Sequence, residues 1–131
     1  MSEAMLEHVN VTVSDPDKTA EELCKLFGWH VRWRGEAKDN GYTVHVGDDD
    51  SYVAIYRPAK PLTSGGVNTY ATRGGLNHIG VVVEDLDAIE ARVVEAGYTP
   101  HSHADYEPGR RFYFHNDDQV EIEVVSYRNG A

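Results

Sequence analysis

The chain has 131 residues, 40% hydrophobic and 26% charged, and its 12 lysines and arginines against 22 aspartates and glutamates leave a formal charge of −10. That length suffices for one domain with its own core, and an acidic balance without a basic stripe excludes nucleic-acid binding through phosphates. The single cysteine, Cys24, excludes an internal disulfide, no stretch approaches a membrane span or a secretory segment, and a reducing cytoplasm is the expected setting.

From Leu6 to Val13 the residues alternate, with Leu6, Val9, Val11 and Val13 apolar and His8, Asn10 and Thr12 on the opposite face. Alternation at period two predicts a strand. Ser14-Asp15-Pro16-Asp17 supplies a cap and a first-turn proline for a helix. That helix carries Ala20, Leu23, Cys24 and Phe27 at three- and four-residue spacing and stops at Gly28. Strands are predicted at Trp29–Trp33, Tyr42–Val46 and Tyr52–Tyr56, with a polar loop over Gly35–Gly41 and a turn over Gly47–Asp50. Residues 57–75, with Pro58, Pro61, Gly65, Gly66, Gly74 and Gly75, read as a linker.

The plan then repeats. Leu76-Asn77-His78-Ile79-Gly80-Val81-Val82-Val83 matches Leu6–Val13 at an offset of 70, placing His78 on His8. A helix over about Asp87–Ala96 ends at Gly97, which matches Gly28 at an offset of 69. A short strand Tyr98–Ser102 follows, then a loop through Tyr106–Arg110 and strands Arg111–His115 and Val120–Val125. The offset of 69 is expected to run without a gap through the closing hairpin, setting Asp117 and Asp118 on Asp48 and Asp49, and Glu123 on Ala54. The chain thus reads as one domain of two strand–helix–three-strand modules, residues 6–56 and 76–125, joined by the linker.

Each sheet must bury one face against its helix. The apolar set for that face is Val9, Val11, Val13, Val53, Ile55, Ile79, Val81, Val83, Phe112, Phe114, Ile122 and Val124. Strict alternation puts His8, Asn10, Thr12, Tyr42, Tyr52, Ala54 and Tyr56 on the other face of the first copy. In the second copy it puts His78, Gly80, Arg111, Tyr113, His115, Glu121 and Glu123 there. Polar faces of half-buried strands commonly meet only water. Here, however, two histidines hold equivalent positions and a carboxylate sits on the last strand. His8, His78 and Glu123 make a 2-His-1-carboxylate set, the pattern that holds a divalent ion and leaves positions open.

The paired modules, the openings Glu7-His8-Val9-Asn10-Val11 and Asn77-His78-Ile79-Gly80-Val81, and the closing Glu121-Ile122-Glu123-Val124-Val125 resemble the vicinal oxygen chelate superfamily. That group includes glyoxalase I, extradiol dioxygenases, methylmalonyl-CoA epimerase, fosfomycin-resistance thiol transferases and bleomycin-resistance proteins. The resemblance covers about Leu6 to Val125. It implies an α+β fold of two tandem βαβββ modules whose curved mixed sheets form a cup-shaped cleft. It also implies a homodimer, with modules often exchanged between chains. The family's ligand positions fall on His8, Ala54, His78 and Glu123. Alanine neither ligates nor moves a proton, which counts against lactoylglutathione lyase activity. Tyr113 matches a tyrosine near the ligand of the fosfomycin enzymes, and Arg128 falls near an arginine of theirs. Their phosphonate-holding loop is not reproduced by residues 103–111, and Asn10 replaces a threonine, so fosfomycin itself is not the expected substrate.

The expected function is therefore a divalent-metal-dependent enzyme, dioxygenase-, lyase- or transferase-like, acting on a small oxygen-bearing substrate. The ion, Fe, Mn, Ni, Co or Zn, would sit on His8, His78 and Glu123, with Tyr113, Asn10 and His115 orienting substrate or carrying protons. The alternative is a metal-free, bleomycin-resistance-like protein that sequesters a small cationic compound in a cleft formed by Tyr42, Tyr52 and Tyr56. The other chemistry-bearing residues have simpler expected roles. His101, His103 and His115 offer a larger metal cluster, but His101 and His103 read more simply as exposed or loop histidines, Cys24 as a small core residue, and Trp29 and Trp33 as sheet or interface cover. Asp48-Asp49-Asp50 reads as a solvated turn without calcium-loop spacing. Arg110 and Arg111, on a flexible segment, are a candidate clamp for a substrate anion.

Overall fold

A computed structural model describes residues 3–63 and 66–127. The chain divides into two compact units, Met1–Ser64 and Gly65–Ala131, so the division falls inside the expected linker. In the first unit, β1 (His8–Thr12) leads into α1 (Pro16–Phe27), followed by β2 (His30–Ala37), β3 (Gly41–Gly47) and β4 (Tyr52–Arg57). In the second, β5 (Ile79–Val82), α2 (Leu86–Glu95), β6 (His101–Tyr106), β7 (Gly109–His115) and β8 (Glu121–Tyr127) repeat that order. The sheets are ordered β1-β4-β3-β2 and β5-β8-β7-β6. Each is mixed, with the first strand parallel to the last and the other pairs antiparallel.

Both helices start as the sequence predicts. The carboxylate of Asp15 accepts from the Lys18 amide at 3.2 Å and Asp85 accepts from Ala88 at 3.0 Å, satisfying amides that a helix leaves without partners. Gly28, at φ +73°, and Gly97, at φ +97°, supply left-handed residues just past the helix ends. α1 buries Ala20, Leu23 and Leu26 against its sheet, and α2 buries Leu86, Ile89 and Val93. Across from them lie Val44, Val46 and Ile55 in one unit and Phe112, Phe114 and Val124 in the other, all fully buried. Leu6 and Leu76 are exposed and precede their strands, because pairing begins only at His8 and Ile79.

The strands differ from expectation in two boundaries that matter here and in the repeat itself. β2 runs on through Gly35, Glu36 and Ala37, which pair with Thr43, Tyr42 and Gly41, so the predicted loop shrinks to a turn over Lys38–Asn40. Asp39 and Asn40 adopt φ +56° and +62° there, a conformation asparagine and aspartate tolerate well. β6 and β7 likewise extend toward each other, leaving only Glu107 and Pro108 between them. Edge strands with polar residues on both faces carry no apolar alternation, so their length was not legible.

The third difference is in the repeat itself. Ala54 pairs with His45 and Glu123 with Tyr113. The last strands therefore match at 123 − 54 = 69, but the strands before them match at 113 − 45 = 68. The missing residue sits in the turn. Asp48 Oδ1 accepts from the amides of Asp50 and Ser51 at 2.8 and 2.9 Å, whereas Asn116 Oδ1 accepts from those of Asp118 and Val120 at 2.9 and 3.0 Å. Asn116, not Asp117, is thus the equivalent of Asp48, and the second turn takes one extra residue, with Gln119 at φ +65°. Glu123 still corresponds to Ala54.

Candidate functional site

The face of the second sheet turned away from α2 carries a continuous network of ionisable side chains. Period-two alternation sends Arg111, Tyr113 and His115 of β7 and Glu121 and Glu123 of β8 to that face, with Tyr113 opposite Glu123 and His115 opposite Glu121. His78, just before β5, reaches them. Its Nε2 lies 3.1 Å from Glu123 Oε1, the two side chains being 29% and 12% exposed. The other carboxylate oxygen of Glu123 accepts from Arg111 at 2.8 Å. The rings of His78 and Tyr113 meet edge to face with centroids 5.5 Å apart. Desolvation, and then the Glu123 charge, push the Tyr113 phenol above its ordinary pKa.

A second row runs through Glu121. His115 Nε2 lies 3.4 Å from one of its oxygens, and the Tyr70 hydroxyl donates to the other. Tyr70 also lies 3.3 Å from His78 Nδ1. The hydrogen bond to Glu121 pushes the Tyr70 pKa up to about 12. His115 Nδ1 is in turn 3.0 Å from His101 Nε2.

The corresponding face of the first sheet is aromatic. Tyr52 stacks on His8 at 4.8 Å and on His45 at 4.5 Å, and Trp33 meets His45 at 5.2 Å. His8 Nδ1 is 2.9 Å from Glu7 Oε1, which also accepts from the Tyr52 hydroxyl at 3.1 Å. These hydrogen bonds hold the Glu7 carboxyl below its usual range. Burial, and then the neighbouring His8, lower the His45 pKa. Asn10 pairs with Ala54, which is 2% exposed and lies on this face between Tyr52 and Tyr56.

Of the predicted site residues, the structure brings His78, Glu123, Tyr113 and His115 onto one face of the second unit. His8 and Asn10 share the equivalent face of the first. Tyr42 does not belong there: its hydroxyl donates to Asp17 of α1 at 2.6 Å, on the helix side of β3. The polarity of tyrosine misled the assignment, since Tyr42, Val44 and Val46 alternate together. Arg110 and Arg111 sit on a strand and face opposite sides, the former bonded to Asp87 of α2 at 2.7 Å, so they form no common clamp. His103 faces the helix and Glu90, at 2.7 Å. His101, within the predicted short strand, is half-buried in β6 rather than exposed, Cys24 is only partly buried, and Arg128 lies outside the described residues. Tyr70 and His45 were not anticipated, and His101 was set aside as an exposed or loop histidine. His45 was legible, because it alternates with Val44 and Val46, whereas Tyr70 sits in a stretch without periodicity.

The donor chemistry suits a divalent ion. Two ligands of a four-coordinate first-row ion lie roughly 3.3 Å apart, given bonds of about 2.0–2.1 Å, close to the His78–Glu123 separation of 3.1 Å. Arg111 ties down the second oxygen of Glu123 and leaves one oxygen for a ligand.

The sequence profile of the Glyoxalase/Bleomycin resistance protein/Dioxygenase superfamily matches residues 7–114. No curated protein sequence matches significantly. Among solved structures, a glyoxylase/bleomycin resistance protein/dioxygenase domain from Frankia sp. EAN1pec is 21% identical with a TM-score of 0.79, covering 99% of this chain and 96% of that one. The fosfomycin resistance protein FosX from Listeria monocytogenes, in complex with Mn(II) and sulfate, is 17% identical with a TM-score of 0.69, covering 98% and 96%. TnmS3, an antibiotic binding protein from Streptomyces sp. CB03234, is 19% identical with a TM-score of 0.72, covering 97% and 98%. With the profile spanning most of the chain and both modules accounted for strand by strand, the protein belongs to the Glyoxalase/Bleomycin resistance protein/Dioxygenase superfamily.

Proposed function

We propose that the protein is a divalent-metal-dependent enzyme acting on a small substrate with two neighbouring oxygens. His78 and Glu123 hold the ion, with His8, the counterpart of His78 in the sequence repeat, as third ligand. The observation that carries this reading is the approach of His78 Nε2 to Glu123 Oε1 at 3.1 Å. The FosX relative crystallised with Mn(II) is consistent with it. When bound, the ion supplies charge stabilisation for an oxyanion developing on the substrate.

The chain's own residues do the rest. Arg111 fixes the rotamer of Glu123. Tyr113, its pKa raised, keeps its proton at neutral pH and donates a hydrogen bond to a substrate oxygen. Asn10 orients the substrate with its amide, and His115 carries protons. Ala54 keeps a position open for the substrate. Metal analysis of the purified protein should find a bound divalent ion, and His78→Ala should weaken its uptake at least about tenfold. Inability of the wild type to take up any divalent ion removes this function.

A second reading, sequestration of a small cationic compound, is favoured by the stack of Tyr52 on His8 and His45. The acidic balance of −10 and the likeness to an antibiotic binding protein agree with it. A ligand-induced rise in melting temperature that survives chelator would support this reading over the first.

A further inference from the structure

Apart from the proposed ligands, His101 of β6, His115 of β7 and Glu121 of β8 converge on one point of the second unit. We propose that they form a second divalent-cation site, one that takes a borderline first-row ion such as Zn2+ or Co2+.

The sheet builds this convergence. β6, β7 and β8 are adjacent strands, His115 is opposite Glu121, and His101 is opposite Tyr113, two residues from His115 on the same face. One donor atom can be chosen from each side chain so that all three lie within 4.8 Å of one another. His115 Nδ1 is 3.0 Å from His101 Nε2, and its Nε2 is 3.4 Å from Glu121 Oε2. Those two contacts use opposite nitrogens of the His115 ring, of which one ion takes only one, so side-chain rotation must draw the chosen three atoms from within 4.8 Å to the roughly 3.3 Å between ligands of a tetrahedral ion.

The surroundings also suit a metal. Ligating side chains are oriented by hydrogen bonds on their far sides. Here the other nitrogen of His101 lies 2.8 Å from Ser102 Oγ, and the other oxygen of Glu121 accepts from Tyr70. All three side chains are half-buried, so an ion can reach them and is partly shielded from water. Two imidazoles and one carboxylate select Zn2+, Co2+, Ni2+ or Cu2+ over Ca2+ and Mg2+, which require mostly oxygen ligands.

The fold does not impose this trio. Strand pairing makes Trp33, Gly47 and Tyr52 its counterparts in the first unit, and these hold no imidazole or carboxylate. Nor does the site share a ligand with His8, His78 and Glu123, so the two can be separated by mutation. An ion here would engage His115 and withdraw it from proton transfer.

The test is titration of chelator-stripped full-length protein with Co2+, followed by visible absorption, and with Zn2+, followed by calorimetry. If both sites exist, the wild type binds two ions, His101→Gln loses one and His78→Ala loses the other, with affinity falling at least tenfold at the mutated site. If the proposed function is wrong and this site is real, the wild type binds one ion, His101→Gln abolishes it and His78→Ala leaves it intact. Glu121→Gln provides a second variant, and circular dichroism establishes that each is folded. Ion number and affinity unchanged in folded His101→Gln, whatever His78→Ala does, overturn the proposal.

Discussion

Ala54 stands where the second unit has Glu123, and it is 2% exposed on the face away from α1. Replacing Ala54 by Glu should therefore start a carboxylate from a ligand position. The expected result is metal binding at least about tenfold tighter and suppressed turnover, because a catalytic ion must keep a position open. A carboxylate buried there without an ion would instead cost roughly a few kcal/mol. Metal affinity, melting temperature and turnover on this one variant separate these outcomes, and unchanged affinity in a stable variant would mean that this position does not face the ion. Tyr70 makes a second prediction. Its pKa rises from the ordinary 10 to about 12 in the folded protein, so between those values the folded state keeps a proton that the unfolded state has released. Stability from its bond to Glu121 is thus present below pH 10 and lost as pH rises toward 12. Tyr70→Phe should abolish the latest phase of the phenolate absorbance titration and flatten the alkaline decline in stability; a titration curve unchanged near pH 12 would refute the assignment.

The strands that precede each closing hairpin, β3 and β7, both begin with glycine. A Cβ on Gly41 would lie 2.7 Å from the Arg57 carbonyl oxygen, and one on Gly109 would run into that of Ser126. These first residues sit tightly against the last strand and admit no side chain. Gly109→Ala should destabilise the protein by about 1–3 kcal/mol, whereas Gly80→Ala, with nothing within 4 Å, should change stability by less than about 0.5 kcal/mol. Urea denaturation of both variants checks this, and equal midpoints would contradict the close approach. Element types were largely legible, because caps, helix stops and apolar alternation are local signals. The ends of β2 and β6 were not, because Gly35-Glu36-Ala37 and Ala104-Asp105-Tyr106 owe their strand geometry to a neighbouring ladder.

Across the whole chain, two units of the same topology carry different chemistry on equivalent faces, stacked aromatic rings in one and a carboxylate–imidazole network in the other. No helix among the described residues is long and apolar enough to cross a membrane. Family resemblance makes a homodimer the expected assembly, with the proposed ligand His8 supplied by the same chain or by its partner. Sedimentation of the metal-loaded protein should give twice the chain mass of 14.6 kDa. A strictly monomeric species that still holds the ion through His8 would show that one chain closes the site alone.

Sequence alone determined the repeat, the helix limits at Gly28 and Gly97, and the sharing of one face by His78, Tyr113, His115, Glu121 and Glu123. Each follows from spacing along the chain, where alternation at period two acts on every strand regardless of its neighbours. Only the tertiary structure decided the extra residue in the turn at Asn116, the helix-side position of Tyr42, the reach of Tyr70 to Glu121 and the meeting of His101 with His115. Those depend on cross-strand register and on segments without periodicity. Hairpin length and the path of a connecting segment set them, and neither leaves a mark in the spacing of apolar residues.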